Sequence, residues 1–119
     1  MMRPAHDLAV VYLCRAPVDF RKSINGLATL VEGTLSMNPF SEYLFAFINR
    51  KRDKVKCLYW ERAGFVLWYK RLERGRFHWP RFRDGEVITL SGQELNWLLD
   101  GIDLRQLKPH PTLTYQSVL

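Results

Sequence analysis

The sequence predicts an α+β fold: a single domain with a mostly antiparallel sheet of about four or five strands and two main helices. The chain has 119 residues, 47% of them hydrophobic and 25% charged, which is typical of one soluble domain with one ordinary core. Three runs of alternating apolar residues occupy the middle of the chain, and a segment with helical periodicity lies on either side of them. These observations predict that residues 1–119 form one domain, with flexible ends at 1–7 and 106–119.

A strand and a helix are predicted first. Residues 8–14 form a short apolar, β-branched run that Pro17 ends, which is typical of a buried strand. Asp19 is expected to cap the helix that follows. Gly26 lies inside that helix and favours a close approach of the helix to the sheet. The apolar stripe of the helix consists of Ile24, Leu27, Ala28, Val31 and Leu35.

An antiparallel meander is predicted for the middle of the chain. Its strands are residues 43–48, 55–60 and 65–71, joined by the short polar loops 49–54 and 61–64. Both faces of the first of these strands carry apolar side chains. We therefore expect helices to cover one face and a partner to be able to cover the other.

The last part of the chain is predicted to contain one more strand and the second helix. Gly75 interrupts the alternation after the third meander strand, which indicates a loop or a bent strand end. Residues 86–90 are predicted to form a fourth strand of the meander. Ser91 and Glu94 form a capping-box pattern at the start of the helix, and Gly101 is placed to end it. The apolar side of this helix consists of Leu95, Leu98, Leu99 and Ile102.

The positive charge is concentrated in one stretch of the chain. There are 18 basic and 12 acidic residues in all, a formal net charge of +6. Residues 50–83 contain twelve basic and three acidic residues, so the whole excess lies there. Such a one-sided field attracts polyanions, of which nucleic acid is the commonest, and a solvated basic surface is the alternative interpretation.

Basic and aromatic side chains are mixed within this stretch, which suits phosphate contacts together with base stacking. Gly75 allows Arg74 and Arg76 to approach a phosphate closely, and these two are the preferred contacts. The predicted nucleic-acid-binding residues are Arg50, Lys51, Arg52, Lys54, Lys70, Arg71, Arg74 and Arg76. The aromatic residues expected at an interface or in stacking, with core packing as the alternative for the tryptophans, are Trp60, Trp68, Phe77 and Trp79.

No segment of the sequence predicts a membrane span or a secretory signal. The apolar runs are far shorter than the ~20 residues of a membrane-spanning helix, and the N-terminus does not lead into a signal-type apolar region. A cytoplasmic location is therefore expected. Cys14 and Cys57 lie in strand-like apolar runs and are expected to be buried and reduced.

Enzymatic chemistry finds no support in the residue pattern. The three histidines lack the neighbours of a zinc site, and no nucleotide-binding glycine loop occurs. Asp19, Asp53 and Glu73 are the candidates for a metal-dependent nuclease, but a helix cap and local salt partners explain them better. We expect no catalytic residues, no metal and no cofactor.

Three segments of the chain resemble one known family. They are residues 18–27 (VDFRKSINGL), 38–41 (NPFS) and 67–80 (LWYKRLERGRFHWP). Over residues 11–103 the chain resembles the accessory proteins, called TnpB or Orf2, of the insertion-sequence-66 family of transposable elements. Such proteins are encoded in bacterial mobile elements beside a separate DDE-type transposase. The resemblance implies a role in DNA transposition and supplies no catalytic residues.

The sequence leaves two functional hypotheses. In the first, the chain is a non-catalytic accessory protein of transposition that binds DNA, the DNA-bound transposase, or both, through the basic and aromatic surface of residues 50–83. In the second, it is an adaptor or homo-oligomer that docks the transposase through its aromatic sheet face, and the charge serves only for steering. The salt dependence of binding to bare DNA distinguishes the two.

Overall fold

A computed structural model describes residues 8–107 of the chain, in which a five-stranded sheet lies between two helices. The helices are α1 (Ile24–Gly33) and α2 (Gly92–Leu99), and a short 3-10 helix spans Leu104–Gln106. The strands are β1 (Val11–Cys14), β2 (Leu44–Ile48), β3 (Lys54–Glu61), β4 (Gly64–Arg71) and β5 (Val87–Leu90). The predicted α+β fold with two helices and a mostly antiparallel sheet is confirmed.

The sheet has the strand order β4-β3-β2-β1-β5. β1 and β2 lie parallel, with Val11 opposite Leu44, and α1 is the crossover between them. β2, β3 and β4 form the predicted antiparallel meander, with Ile48 opposite Val55 and Lys54 opposite Arg71. The alternation of apolar residues therefore identified these three strands correctly.

β5 occupies the edge of the sheet farthest from β4. It pairs antiparallel with β1, with Tyr12 opposite Thr89. The prediction of a fourth meander strand was wrong, because residues 72–86 carry the chain along one end of the sheet to the free edge of β1. Alternation marks a strand and its buried face, but it does not specify the neighbour with which the strand pairs.

Both faces of the sheet are covered by the chain itself. On one face Leu27 and Val31 of α1 pack with Phe45 and Phe47 of β2, all four fully buried. The other face packs against α2 and against the aromatic side chains of residues 72–80. The expectation that a partner covers the second face of β2 is corrected, since α1 already fills that position.

The start of α1 differs from the prediction. Ser23 occupies the N-cap position, whereas the Asp19 carboxylate accepts hydrogen bonds from the backbone and guanidinium of Arg21. Because α1 begins at Ile24, Asp19 lies four residues before the N-cap position, and its carboxylate binds Arg21 instead. A Cβ added at Gly26 would meet the Lys22 side chain at 3.0 Å, so this glycine allows the approach of that lysine rather than of the sheet.

The predicted boundaries of α2 agree with the structure. Ser91 accepts a hydrogen bond from the Glu94 backbone, and the Glu94 carboxylate accepts one from the Ser91 backbone, which completes the capping box. Gly101 follows the helix with a φ of +88°. Ile102 lies beyond the helix instead of on its apolar side. Of the predicted flexible ends, all except residues 106 and 107 lie outside the described part of the chain, and Gln106 closes the 3-10 helix.

Candidate nucleic-acid interface

Most of the basic residues meet at one end of the sheet, where β1, β2 and β4 finish and β3 and β5 begin. We call it the basic end. It is formed by the β2–β3 loop, residues 49–53, and by the β4–β5 connection, residues 72–86. The opposite end carries few cations, of which Arg62 in the β3–β4 turn is exposed. The uneven charge of the sequence therefore becomes an uneven charge in space.

Asn49 organises the β2–β3 loop. Its side chain is 8% exposed, and its Oδ1 accepts hydrogen bonds from the backbone N–H groups of Asp53 and Lys54. Its Nδ2 donates to the Asp53 carboxylate at 2.7 Å, and this hydrogen bond is the main reason that the pKa of Asp53 lies below its ordinary value. The loop conformation leaves Arg50 and Lys51 exposed at the tip.

The β4–β5 connection is fastened to the sheet by its aromatic residues. The backbone N–H of Phe77 donates to the Arg52 carbonyl at 2.7 Å, and the Trp79 indole donates to the Cys14 carbonyl at 3.0 Å. Both rings are buried, at 1% and 5% exposure. The polar residues before Phe77 are consequently displayed on the outside, and they include Arg74 and Arg76.

Arg15 also holds this connection, and no sequence pattern pointed to it. Its guanidinium donates to the carbonyls of Arg81 and Arg83 at 2.8 Å each. Arg83 in turn donates to the Thr89 carbonyl and lies 3.5 Å from the Glu94 carboxylate. These two arginines therefore serve the fold, because their donors are directed at groups of the protein itself.

Five of the eight predicted binding residues have cationic groups free for a ligand. Their side chains form no hydrogen bond or ion pair with any residue of 8–107, and they are Arg50, Lys51, Arg52, Arg74 and Arg76. The side chain of Arg81 also forms no hydrogen bond or ion pair with any residue of 8–107. The sequence did not identify Arg81 as a binding residue, because the residues around it indicated only a polar loop. Arg81 could have been identified from its position in the basic stretch, directly after the family-like segment 67–80.

The other three predicted binding residues are engaged within the protein. The Lys70 ammonium donates to the carbonyl of Leu99 at 2.9 Å, at the C-terminus of α2, so it contributes to the fold. Arg71 pairs with Glu73 at 2.9 Å, and Lys54 lies 3.5 Å from the Asp53 carboxylate. The Arg71–Glu73 pair is solvent-exposed and weak enough to exchange for a phosphate. The Lys54–Asp53 pair is half-buried.

Three of the four predicted interface aromatics belong to the core. Trp68, Phe77 and Trp79 are at most 9% exposed and pack on the α2 face of the sheet, so they offer no ring face to a base or a partner. The prediction of stacking or interface contact is corrected for these three. Trp60 is half-buried at the opposite end of the sheet, where its ring contacts Phe40 and Phe65 at centroid distances of 5.0 Å.

Two clefts flank the β2–β3 loop at the basic end. The first has a volume of about 520 Å³ and is lined by cations from the loop and by the segment before α1, including Arg50, Lys51 and Arg21. Arg21 is paired with Asp19, whose pKa its hydrogen bonds lower to about 2. The second, which we call the arginine cleft, has a volume of about 370 Å³ and is lined by four arginines, Arg52, Arg76, Arg81 and Arg105.

The acidic and cysteine residues considered above lie in local contacts or in the core. Asp53 and Glu73 are occupied by the local partners named above, and no three side chains of the metal-binding types converge within residues 8–107. Cys57 is fully buried, and burial raises the pKa of its thiol. Cys14 is buried as well, and both thiols are free, as expected for reduced core cysteines.

Neither helix within residues 8–107 has the length and apolar character needed to cross a bilayer.

Comparison with known proteins identifies relatives along nearly the whole chain. The chain is 34% identical over 111 residues to the uncharacterized protein y4jC of Sinorhizobium fredii, covering 93% of each sequence. It is 35% identical over 115 residues to the uncharacterized protein y4hO of the same organism, covering 97% of this chain and 96% of that one. No solved structure matches the chain significantly.

A family profile described as IS66 Orf2-like protein matches residues 9–109. The match includes the whole sheet, both helices and the basic end. It also includes the run from Lys70 to Pro80, in which Phe77 and Trp79 are buried while Arg74 and Arg76 remain exposed. The chain therefore belongs to the IS66 Orf2-like family of transposition-related accessory proteins.

Proposed function

We propose that this protein is a non-catalytic accessory protein of bacterial DNA transposition that binds DNA through its basic end. The observation that carries the proposal is the convergence of six cationic side chains that have no side-chain partner within residues 8–107. They come from two separate segments, residues 50–52 and 74–81, and the fold brings those segments together. A basic stretch that served solubility alone would not require this convergence.

The geometry suits contacts with the phosphate backbone. Arg50, Lys51 and Arg74 are exposed, so their charges can meet phosphates without first being buried unpaired. Each phosphate that they neutralise releases condensed counterions, which makes the affinity fall with salt. No projecting helix or ribbon of polar side chains is available for the major groove at this end of the described structure, so we expect binding with little base specificity.

The remaining parts of the proposal concern partners. Membership in the family supports association with the transposition machinery, and we propose the DDE-type transposase of the same element as the protein partner, met on DNA in the cytoplasm. A non-sequence-specific DNA contact would then raise the local concentration of this protein beside the transposase.

A second candidate function is docking to a protein through the opposite end of the sheet. There Phe40 and Tyr43 are 52% and 44% exposed, next to the half-buried ring of Trp60. Exposed aromatic residues of this kind are enriched at protein interfaces. An adaptor or a homo-oligomer would use this surface and would not need DNA.

A binding titration with duplex DNA at several salt concentrations tests the proposal. We expect the logarithm of the affinity to fall linearly with the logarithm of the salt concentration. In the variant Arg50→Gln/Arg74→Gln/Arg76→Gln, the slope should shrink by about 0.9 for each phosphate that the protein no longer neutralises. Arg62→Gln, which removes an exposed cation at the opposite end, is the matched control. Absence of DNA binding at physiological salt, or equal effects of the two variants, would favour the adaptor instead.

A further inference from the structure

The arginine cleft differs from the rest of the basic end because an exposed aromatic ring stands at its side. Phe82 lines the cleft and is 49% exposed. Phe77 and Trp79, its neighbours in the chain, are buried. Phe82 therefore presents an apolar ring to solvent beside the cations of the cleft.

The charge of the cleft is strongly positive. Arg52, Arg76 and Arg81 form no side-chain hydrogen bond or ion pair within the described residues. Asp103 is the acidic residue of the lining, and the guanidinium of Arg105 holds it through two hydrogen bonds, 3.1 and 2.8 Å long. These bonds are the main reason that the pKa of Asp103 is lowered to about 2, so it stays ionised and pairs with Arg105. The other three arginines remain available to an anion.

The ring of Phe82 is held in place by the same elements. The guanidinium carbons of Arg83 and Arg105 each lie 5.8 Å from its centroid. Arg83 is fixed by the Thr89 carbonyl, and Arg105 by Asp103. A ring that is positioned before the ligand arrives loses little conformational entropy on binding.

A ligand that satisfies both features carries a negative charge and a flat aromatic face. A nucleotide has both, since its phosphate can pair with arginine and its base can stack on an aromatic side chain. In a duplex the faces of the bases are covered by their neighbours, and only single strands, frayed ends and unpaired bases expose them. The cleft therefore suits DNA whose bases are unstacked.

We propose that the arginine cleft is a subsite for single-stranded DNA, in which Arg52, Arg76 and Arg81 bind phosphates and Phe82 stacks on a base. This inference rests on the proposed function and deepens it, because it names the form of DNA that the basic end prefers. Duplex DNA would use the phosphate contacts alone. Sequence preference at the subsite is weak, because every base has a face that can stack.

The test compares strands of equal charge that differ in their bases. The full chain is titrated, at one salt concentration, with a twelve-nucleotide thymidine strand and with a twelve-unit abasic strand that keeps every phosphate. We expect the thymidine strand to bind tighter by roughly 5- to 150-fold, the range of one base stacked on an aromatic side chain. Arg76→Gln should weaken both strands by a similar factor.

The variant Phe82→Leu removes the aromatic face and keeps an apolar side chain, so the fold is expected to survive. It should abolish the preference for the thymidine strand. Phe40→Leu, at a similarly exposed ring at the opposite end, is the matched control and should retain it. Equal binding of the two strands by the wild-type protein, or a preference that persists in Phe82→Leu, would overturn the subsite.

Two further titrations, with duplex DNA and with an RNA strand, distinguish failure of the subsite from failure of the proposed function. If duplex DNA binds with a negative salt slope and the strands are not distinguished, the proposed function stands and the subsite alone is wrong. If none of these nucleic acids binds, both proposals fail together. A twelve-nucleotide uridine RNA strand that binds tighter than its DNA counterpart would assign the subsite to RNA and overturn the assignment to single-stranded DNA.

Discussion

At the scale of single residues, Asn49 has more influence on the basic end than its uncharged side chain suggests. Its amide satisfies two backbone donors and one carboxylate in the β2–β3 loop. Among residues 8–107, Asn49 is the one polar residue that is buried. Removal of its side chain would leave the two backbone donors without a partner. The position of Arg50 and Lys51 thus depends on a residue that carries no charge.

Replacing Asn49 by Ala should lower the free energy of unfolding by about 2 kcal/mol at neutral pH, as measured by urea denaturation. Asn25→Ala, on the exposed side of α1, should change it by less than about 0.5 kcal/mol. An equal effect of both substitutions would show that the Asn49 hydrogen bonds do not stabilise the loop.

The effect of Asn49→Ala should also depend on pH. The pKa of Asp53 is lowered in the folded protein, chiefly by Asn49, so this group stabilises the fold above its unfolded pKa of ~3.9. That contribution is lost as the pH falls through the lower folded value. The variant lacks the contribution, and the difference in unfolding free energy between wild type and variant should therefore be smaller at pH 3 than at pH 7. A difference that is the same at both pH values would contradict this explanation.

Lys70 and Arg76 provide a second comparison between single residues. Lys70→Met removes the donor to the Leu99 carbonyl while keeping the apolar stem, and should cost about 1 kcal/mol of unfolding free energy. Arg76→Gln should leave stability almost unchanged, because Arg76 is exposed and has no side-chain partner in the described structure. Arg76→Gln should lower the DNA affinity, whereas Lys70→Met should change it little. If Lys70→Met left stability unchanged and weakened DNA binding, Lys70 would be a DNA contact and not a stabilising residue of the fold.

At the scale of elements, the β3–β4 hairpin ends in a two-residue turn formed by residues that rarely adopt its backbone conformation. Its two loop residues, Arg62 and Ala63, both have positive φ values, +46° and +64°. This is the type I′ geometry, which favours Asn and Gly because the left-handed conformation costs other residues free energy. The hairpin forms regardless, because β3 and β4 pair along their whole length from Glu61 opposite Gly64 to Lys54 opposite Arg71.

Ala63→Gly should therefore raise the free energy of unfolding by about 0.5–1 kcal/mol, after allowance for the greater freedom of glycine in the unfolded chain. Thermal or urea unfolding measures the change. Ala16→Gly, in a loop without positive φ, should instead lower the free energy of unfolding. If Ala63→Gly destabilised the protein as Ala16→Gly does, the left-handed conformation of Ala63 would be wrong.

The elements also show which parts of the fold the sequence could predict. The meander and the capping box of α2 were predictable, because alternation and the Ser91–Glu94 pair are local signals. The position of β5 was not predictable, because its partner β1 is distant in the sequence. Asp19 was wrongly predicted as the cap of α1. Its carboxylate accepts hydrogen bonds from Arg21, and the N-cap of the helix is Ser23.

The candidate site was predictable in outline and less so in detail. Charge counting located the basic end, since the cations of residues 50–83 are close in sequence. Charge counting could not distinguish Arg76, whose side chain has no partner within residues 8–107, from Lys70 of β4, which donates to the Leu99 carbonyl at the end of α2. Nor could it tell the buried Trp79 from the exposed Phe82, because the path of the β4–β5 connection depends on distant hydrogen bonds such as that to the Cys14 carbonyl.

At the scale of the whole molecule, the sheet separates two surfaces of different chemistry. The basic end has the free cations and the arginine cleft. The opposite end has the aromatic cluster around Trp60, with Glu42 and Glu61 exposed beside it. This arrangement would allow the proposed DNA contact at one end and a protein partner at the other.

The location of bound DNA on the protein is the most direct test of this account. Backbone amide NMR shifts of the isotope-labelled full chain, recorded while DNA is added at moderate salt, would give it residue by residue. We predict that the largest shifts fall on residues 50–52 and 74–82, with little change at 40–43 and 60–65. Shifts centred on the Phe40 and Trp60 end, or no shifts at any DNA concentration, would contradict the claim that the basic end binds DNA.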